Sequence, residues 1–287
     1  MTSDEGLAIG PGYVFEVPEL ASQYVEAISS TGSVLGSATG FFVRDAERRP
    51  WLVTNRHVVT GRHWETDSVD GYGGVAPSAI RVSVPMANRF SWTQVLIELG
   101  DEEDQPRWRE HPELGRAVDV VALQMPENEQ VDIIEWPLGV GVARLDLTDT
   151  LYVIGFPVGF DPVRAVGVFG VWTRASIAWQ PRLDWRGLPC FLVDCRSRSG
   201  QSGSPAVFYA NRLTSFMGID GQIRTGPASS LVGIYSGRIH KESDLGIVWK
   251  RPALEQIIAS GVIPATPSVS PLAVDPKSLI PTLPSES

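Results

Sequence analysis

A chain of 287 residues, 43% of them apolar and 20% charged, can bury a sizeable core and fold as one large or two small domains. Its formal charge of -9, its pI of about 5.0 and the lack of any sustained Lys/Arg run argue against a surface that tracks a phosphate backbone, so no nucleic acid partner is expected. Acids stand where a secretion signal needs bases, no stretch of roughly 18 apolar residues occurs and cysteines are sparse, which together predict a cytoplasmic protein with no membrane partner.

Residues 1 to 30 read as a polar N-terminal segment punctuated by Gly and Pro, in which residues 21 to 30 fit either a short helix or a first strand. From Ser33 the pattern becomes strand, turn, strand: Val34 to Val43, the polar turn Arg44 to Pro50, then Trp51-Leu52-Val53-Thr54. This hairpin delivers the chain to Asn55-Arg56-His57-Val58-Val59. His57 therefore falls at the end of a buried strand, where a loop or short helical turn begins. The acid-rich stretch from Gly100 to Leu114 reads as a solvated loop. After it, the run Val118-Asp119-Val120-Val121-Ala122-Leu123 carries a single acid among apolar residues. A carboxylate there is costly unless it has hydrogen-bonding or charged partners, and the plain alternative is a surface Asp that opens the strand.

Short β runs continue through Leu151 to Gly159, Ala165 to Ala178, Phe191 to Val193 and Ser230 to Gly237. With scarcely a helical period among them, they predict an all-β sandwich or barrel. Residues 252 to 260 are the exception: a Pro start, Leu254, Ile257 and Ile258 on one face and Gly261 as the stop predict a short helix. The last stretch, Pro264 to Ser287, has the composition of a Pro/Ser-rich disordered tail. Cys190 and Cys195 lie an odd number of residues apart in an extended segment, so their side chains should point to opposite faces without a disulfide.

One turn remains, Gly200-Gln201-Ser202-Gly203-Ser204-Pro205. A serine hydroxyl is a weak nucleophile and needs an open position, a nearby base and N–H groups aimed where negative charge develops. Glycines permit that backbone, although alone the stretch equally fits a plain turn between strands.

Taken with the stretches around His57 and Asp119, this turn makes the chain resemble the trypsin-like, chymotrypsin-fold serine peptidases, most of all the cysteine-poor bacterial branch that includes the high-temperature-requirement proteases. Trp51 to Val58 is similar to the strand and turn that bear the catalytic histidine. Asp119-Val120-Val121-Ala122-Leu123 is similar to the D-[IV]-A-L type strand of the orienting aspartate, with one apolar residue inserted or shifted, and Gly200 to Pro205 to the G-[DN]-S-G-G-P nucleophile loop. Gly36 to Phe42, Tyr152 to Gly159 and Gly233 to Ser236 add weaker matches. The order His, Asp, Ser differs from the Ser, Asp, His of α/β-hydrolases. The reverse set Ser202, Asp220 and His240 leaves too little chain for the helices and parallel strands that fold needs.

The resemblance implies an all-β fold of two six-stranded antiparallel barrels of the chymotrypsin type, with the active site in the cleft between them and a short C-terminal helix. The peptidase domain would span residues 31 to 263, with barrel one at about 31 to 137, barrel two at about 138 to 250 and the helix at about 252 to 260. It implies a serine endopeptidase working through a covalent acyl-enzyme, with His57, Asp119 and Ser202 as the catalytic residues. The N–H groups of Gly200 and Ser202 would form the oxyanion hole. No metal or organic cofactor is implied, and neither an H-E-x-x-H motif nor paired C-x-x-C motifs occur. The implied partner is a polypeptide substrate, with room for a protein regulator. The alternative is an inactive domain that binds peptides or partners through the same cleft.

For substrate binding, the resemblance places Arg196 at the base of the pocket for the side chain preceding the cut bond. Ser199 and the segment Tyr235, Ser236, Gly237 and Arg238 would line that pocket. An arginine there would favour a carboxylate; the alternative is that Arg196 turns outward toward an acid such as Asp194 or Asp184. Two departures stand out: Ser204 replaces the family's second glycine, and Gln201 replaces its Asp or Asn. Gln201 lacks the charge that in the digestive branch pairs with a newly cut N-terminal amine, so activation by N-terminal insertion is not expected.

Overall fold

In the computed structural model, described for residues 7–8, 14–15, 17–69, 71–87, 91–126, 128, 130–139, 141–159, 168–240 and 242–264, strands dominate and nearly all pairing is antiparallel. Two short strands, β1 (Leu7–Ala8) and β2 (Val14–Phe15), pair with each other, and a helical turn, α1 (Val17–Leu20), follows. The first sheet comprises β3 (Ser22–Ile28), β4 (Val34–Arg44), β5 (Pro50–Thr54), β6 (Ala79–Pro85), β7 (Trp92–Glu98), β8 (Trp108–Arg109) and β9 (Val121–Gln124), in the order β7-β6-β3-β4-β5-β9-β8. Helix α2 (Arg56–Thr60) leaves the end of β5. The second unit is a closed six-stranded barrel of β10 (Thr150–Gly155), β11 (Val171–Ile177), β12 (Cys190–Cys195), β13 (Pro205–Ala210), β16 (Ala228–Arg238) and β17 (Leu245–Lys250). A small hairpin, β14 (Ser215–Met217) with β15 (Ile223–Thr225), projects between β13 and β16, and helix α3 (Arg251–Ser260) follows β17.

Period-two alternation distributes the apolar residues. On β4 and β5, Phe42 and Leu52 face the core of the first sheet, with Val25, Val82, Val84 and Leu123. Their neighbours Phe41 and Val53 face a middle layer shared with Val120, Ile154, Val207, Ile234 and Trp249. Tyr235 and Val248 belong to the second barrel's own core, with Leu151, Phe191, Val193 and Phe208. Such strands are buried on both faces, which is why they read as continuous apolar runs rather than as alternation. Helix α3 adds Leu254, Ile257 and Ile258 to the middle layer, each side chain contributing about 1.5–3 kcal/mol by leaving water. The two units are thus held by a continuous apolar layer.

The all-β, two-barrel architecture and the short C-terminal helix are those expected. In detail the first sheet has seven strands, and no ladder among the described residues joins its outer strands β7 and β8. Residues 21 to 30 resolve as β3, which pairs with both β4 and β6 and buries Val25, Ala27 and Ile28. The first sheet therefore begins at Ser22, inside the stretch read as an N-terminal segment ending at residue 30. The acid-rich stretch is not a solvated loop throughout: Trp108 and Arg109 pair with β9, and Glu110 and His111 are buried. Both cysteines are buried free thiols, Cys190 in the middle layer and Cys195 in the barrel core, so the opposite-face reading holds. The tail assignment, beyond Pro264, lies outside the described residues.

Candidate active site

The end of β5 turns at Asn55, whose extended backbone starts α2, and His57 follows in its first turn. Val58 and Val59 pack into the first core and Gly61, in the left-handed region at φ 64°, ends the helix. The β5–β9 register pairs Thr54 with Val121, which brings Asp119, two residues before β9, alongside His57. Asn55 Nδ2 fixes the arrangement by donating to the Asp119 carbonyl at 2.7 Å.

Asp119 has no exposed surface. Its carboxylate accepts from the His57 backbone N–H at 2.9 Å, from His57 Nδ1 at 2.7 Å and from the Ser236 hydroxyl. Those three donors offset the cost of burying the acid within an apolar run. Because a carboxylate only accepts, Nδ1 carries the proton and Nε2 keeps its lone pair. Burial alone would push the His57 pKa down, but the charge and hydrogen bond of Asp119 outweigh it and hold the value above the ordinary one. The His57 side chain remains 27% exposed, at a cleft.

That cleft, of about 440 Å³, is lined by both His57 and Ser202, together with Ser199, Gly200, Ser236 and Arg238. Among the described residues no hydrogen bond joins Ser202 Oγ to the imidazole, a contact that commonly tightens only with substrate in place. Gly200 and Gly203 adopt φ of 91° and 84°, and neither could be replaced. A Cβ on Gly200 would lie 2.3 Å from the Phe156 carbonyl oxygen, and one on Gly203 would lie 2.1 Å from that of Thr39. The Ser199 carbonyl accepts from the Val158 N–H at 2.7 Å, so the planar peptide turns the Gly200 N–H the other way. Among the described residues neither the Gly200 nor the Ser202 N–H has a protein acceptor.

The departures in this turn are accommodated locally. Gln201, 1% exposed, accepts the Arg198 N–H at 3.0 Å and donates to Thr173 Oγ1 at 2.7 Å, bracing the loop with neutral bonds. Ser204 avoids positive φ, and its hydroxyl occupies space left by Gly155, where a Cβ would lie 2.0 Å from Ser204 Oγ. A residue not singled out from sequence ties the turn to the other barrel. Thr39 on β4 donates its hydroxyl to the Gly200 carbonyl at 2.8 Å, its N–H to the Ser202 carbonyl at 2.9 Å, and receives the Phe156 N–H at 3.0 Å. Only its place in the run Ser37-Ala38-Thr39-Gly40, small and polar inside a strand, hinted at this. Trp64 and Tyr72, which line the cleft, were likewise missed.

The expected substrate-binding set divides. Ser199, Ser236 and Arg238 line the cleft, and Gly237 lies close enough that its Cβ would be 3.9 Å from Ser202 Oγ. Arg196 does not join them: it is exposed and shares a surface groove with Asp194 and Asp244, because Cys195 and Ser197 take the inward positions on either side of it. Asp184, the other acid considered for it, binds Lys250 at 2.6 Å. Tyr235 is also no part of the cleft lining; it is wholly buried in the barrel core. Beside the site, Arg56 is clamped between Glu110 and Asp67, at 2.9 Å each. Burial would lower its pKa, but the charge of Glu110 and the bond to Asp67 raise it, so it stays a cation.

A family model described as a trypsin-like peptidase domain matches residues 38–214, more than half of the chain and a span that contains His57, Asp119 and Ser202. The chain belongs to this family of trypsin-like peptidases. It is a serine endopeptidase by that membership. No curated protein sequence matches it. Among solved structures it is similar to the active form of the Rv3671c protease from M. tuberculosis, with 16% identity, coverage of 87% of this chain and 85% of that one, and a TM-score of 0.46. It is also similar to the serine endoprotease from Yersinia pestis, with 14% identity, 84% and 64% coverage and a TM-score of 0.47. A thermostable serine protease, AL20, from an extremophilic microorganism shares 11% identity over 84% of this chain and 97% of that one, with a TM-score of 0.47.

Proposed function

We propose that this trypsin-like peptidase hydrolyses peptide bonds through Ser202, His57 and Asp119 by way of a covalent acyl-enzyme. Ser202 Oγ attacks the carbonyl carbon as His57 Nε2 takes its proton, and His57 then gives that proton to the leaving amine. A water molecule, deprotonated by the same nitrogen, attacks the acyl-enzyme and frees Ser202. Asp119 keeps the imidazole in the tautomer that presents Nε2 and stabilises the imidazolium formed in each half-reaction. The N–H groups of Gly200 and Ser202 take the developing oxyanion, an interaction worth on the order of 3 kcal/mol per donor.

The observation that carries this reading is the buried Asp119 carboxylate bonded to both the Nδ1 and the backbone N–H of His57, in a cleft that also holds Ser202. A histidine oriented in this way has its other nitrogen free for proton transfer. The neutral bracing of Gln201 further supports a nucleophile loop that needs no buried ion pair to hold its shape. The test is labelling with a fluorophosphonate probe. Attachment to Ser202, abolished by Ser202→Ala, supports the proposal; a properly folded protein that stays unlabelled at pH 8 refutes it.

A further inference from the structure

We propose that Tyr235 fills the space that would receive the side chain preceding the cut bond, so that only residues of about the size of glycine, alanine or serine are accepted there. The inference rests on the hydrolytic reading of Ser202 given above. A substrate carbonyl within reach of Ser202 Oγ, with its oxygen at the Gly200 and Ser202 N–H groups, directs its own side chain between two segments. One runs from the buried Ser197 to Ser199 and Gly200, which line the cleft at the nucleophile turn; the other is Ser236 to Arg238, the end of β16, of which Ser236 and Arg238 line the cleft. Arg238 pairs with Gly246 on β17, so that strand runs alongside the second segment.

Tyr235 occupies this space. Its ring is wholly buried, and its hydroxyl bonds Ser197 Oγ at 2.5 Å, spanning from one segment to the other. The ring lies directly on Gly246, where a Cβ would fall 2.4 Å from Cε2 and 2.5 Å from the phenolic oxygen, so the glycine is what makes room for it. The main chain of Tyr235 is equally fixed: its N–H donates to the Ser204 carbonyl and its carbonyl accepts from the Gly203 N–H, both at 2.9 Å. Moving the ring aside by shifting the backbone would break the bonds that shape the turn around Ser202. The floor is therefore shallow and rigid. A leucine or phenylalanine in this position meets packed core, and close-packed protein does not yield to added methylenes without strain.

The test uses acetylated tetrapeptides that differ only in a C-terminal Gly, Ala, Leu or Phe. These are product-like ligands whose binding needs no hydrolysis. Wild-type protein should bind the Gly and Ala peptides about tenfold or more tightly than the Leu and Phe peptides, the discrimination that a single well-fitted pocket gives. Tyr235→Val should erase or reverse the order, whereas Tyr235→Phe, which keeps the ring and loses only the Ser197 bond, should preserve it. Equal or tighter binding of the Leu or Phe peptide to wild type, or failure of all four to bind, overturns the proposal; so does an order unchanged in folded Tyr235→Val. Should Tyr235→Val not fold, the wild-type order alone decides. Fluorophosphonate labelling of Ser202 reports separately: labelling without discrimination removes the pocket, and discrimination without labelling removes the hydrolytic mechanism.

Discussion

Replacing Asp119 by asparagine tests the geometry most directly, because the two side chains have the same shape and differ only in what they donate. An amide at this position has one acceptor oxygen to offer to three donors. Turned one way, its NH2 meets the His57 backbone N–H, a donor facing a donor that cannot rotate away. Turned the other way, its oxygen takes that N–H and its NH2 faces His57 Nδ1 and the Ser236 hydroxyl. The hydroxyl can rotate and the imidazole can change tautomer, so the second arrangement wins. The proton then sits on Nε2, and the base is lost. A triad forced into the wrong tautomer loses on the order of 10⁴ in kcat, or about 5 kcal/mol of transition-state stabilisation. The assay is the rate of cleavage of a chromogenic peptide with an alanine before the cut bond, alongside the rate of fluorophosphonate labelling and a thermal melt to verify folding. Asp119→Asn retaining more than a tenth of wild-type kcat would refute the reasoning.

Other expectations follow from the same contacts. Because Asp119 holds the His57 pKa above its ordinary value of about 6.5, activity should rise with pH to a plateau through an inflection above that value, and a flat profile from pH 5 to 8 would contradict it. The stability effect has the opposite sign. The raised value adds stability that is fully present below about pH 6.5 and lost as pH rises through the folded-state pKa, which thermal melts of wild type against His57→Gln should show. Arg56→Met leaves Glu110 buried without its cation and should cost about 3 kcal/mol or more, a drop in Tm of about 6 °C or more; a change within a degree would show the pair to be dispensable. Gly155→Ala should abolish labelling by driving a methyl into Ser204 Oγ, and Ser204→Gly should restore part of it, the remainder being lost to the nearby Thr39 hydroxyl; additive losses would sink this account.

Much of the site could be read from the sequence because its chemistry is local. The His57 turn, the acid in an apolar strand and the Gly-bracketed serine each declare themselves within a few residues, and helix α3 announces its own caps. What stayed hidden depends on contacts between distant segments. Thr39 is one of many small polar residues until β4 of the first sheet meets the turn of the second barrel 161 residues later. Glu110 reads as one more acid in a solvated loop, and its burial is explained by its partners, the distant Arg56 and the indole of Trp108. For Arg196 the sequence left two directions open, and the outward one, toward Asp194, is taken because strand alternation past the end of β12 decides it, one residue of register being enough to reverse a side chain. Tyr235 read as a wall of the pocket, but how its ring is placed could not be read locally, because the glycine that admits it to the core is eleven residues away on another strand.

These long-range contacts also show why the site depends on both barrels at once. His57 and Asp119 are positioned by the β5–β9 register of the first sheet, and Ser202 by the turn between β12 and β13 of the second. Neither set controls its distance from the other. That distance is fixed by Thr39, which reaches from β4 to the carbonyls of Gly200 and Ser202, by Ser236, which reaches from β16 to Asp119, and by the apolar layer between the barrels. The hydrogen bonds act as directional locators, each contributing about 1 kcal/mol, while the shared layer of Phe41, Val53, Ile154, Val207, Ile234 and Trp249 supplies most of the holding energy. A change that loosens the layer without touching a catalytic side chain should therefore weaken catalysis before it unfolds either barrel, since displacing a reacting group by about 1 Å can cost on the order of 10²-fold in rate.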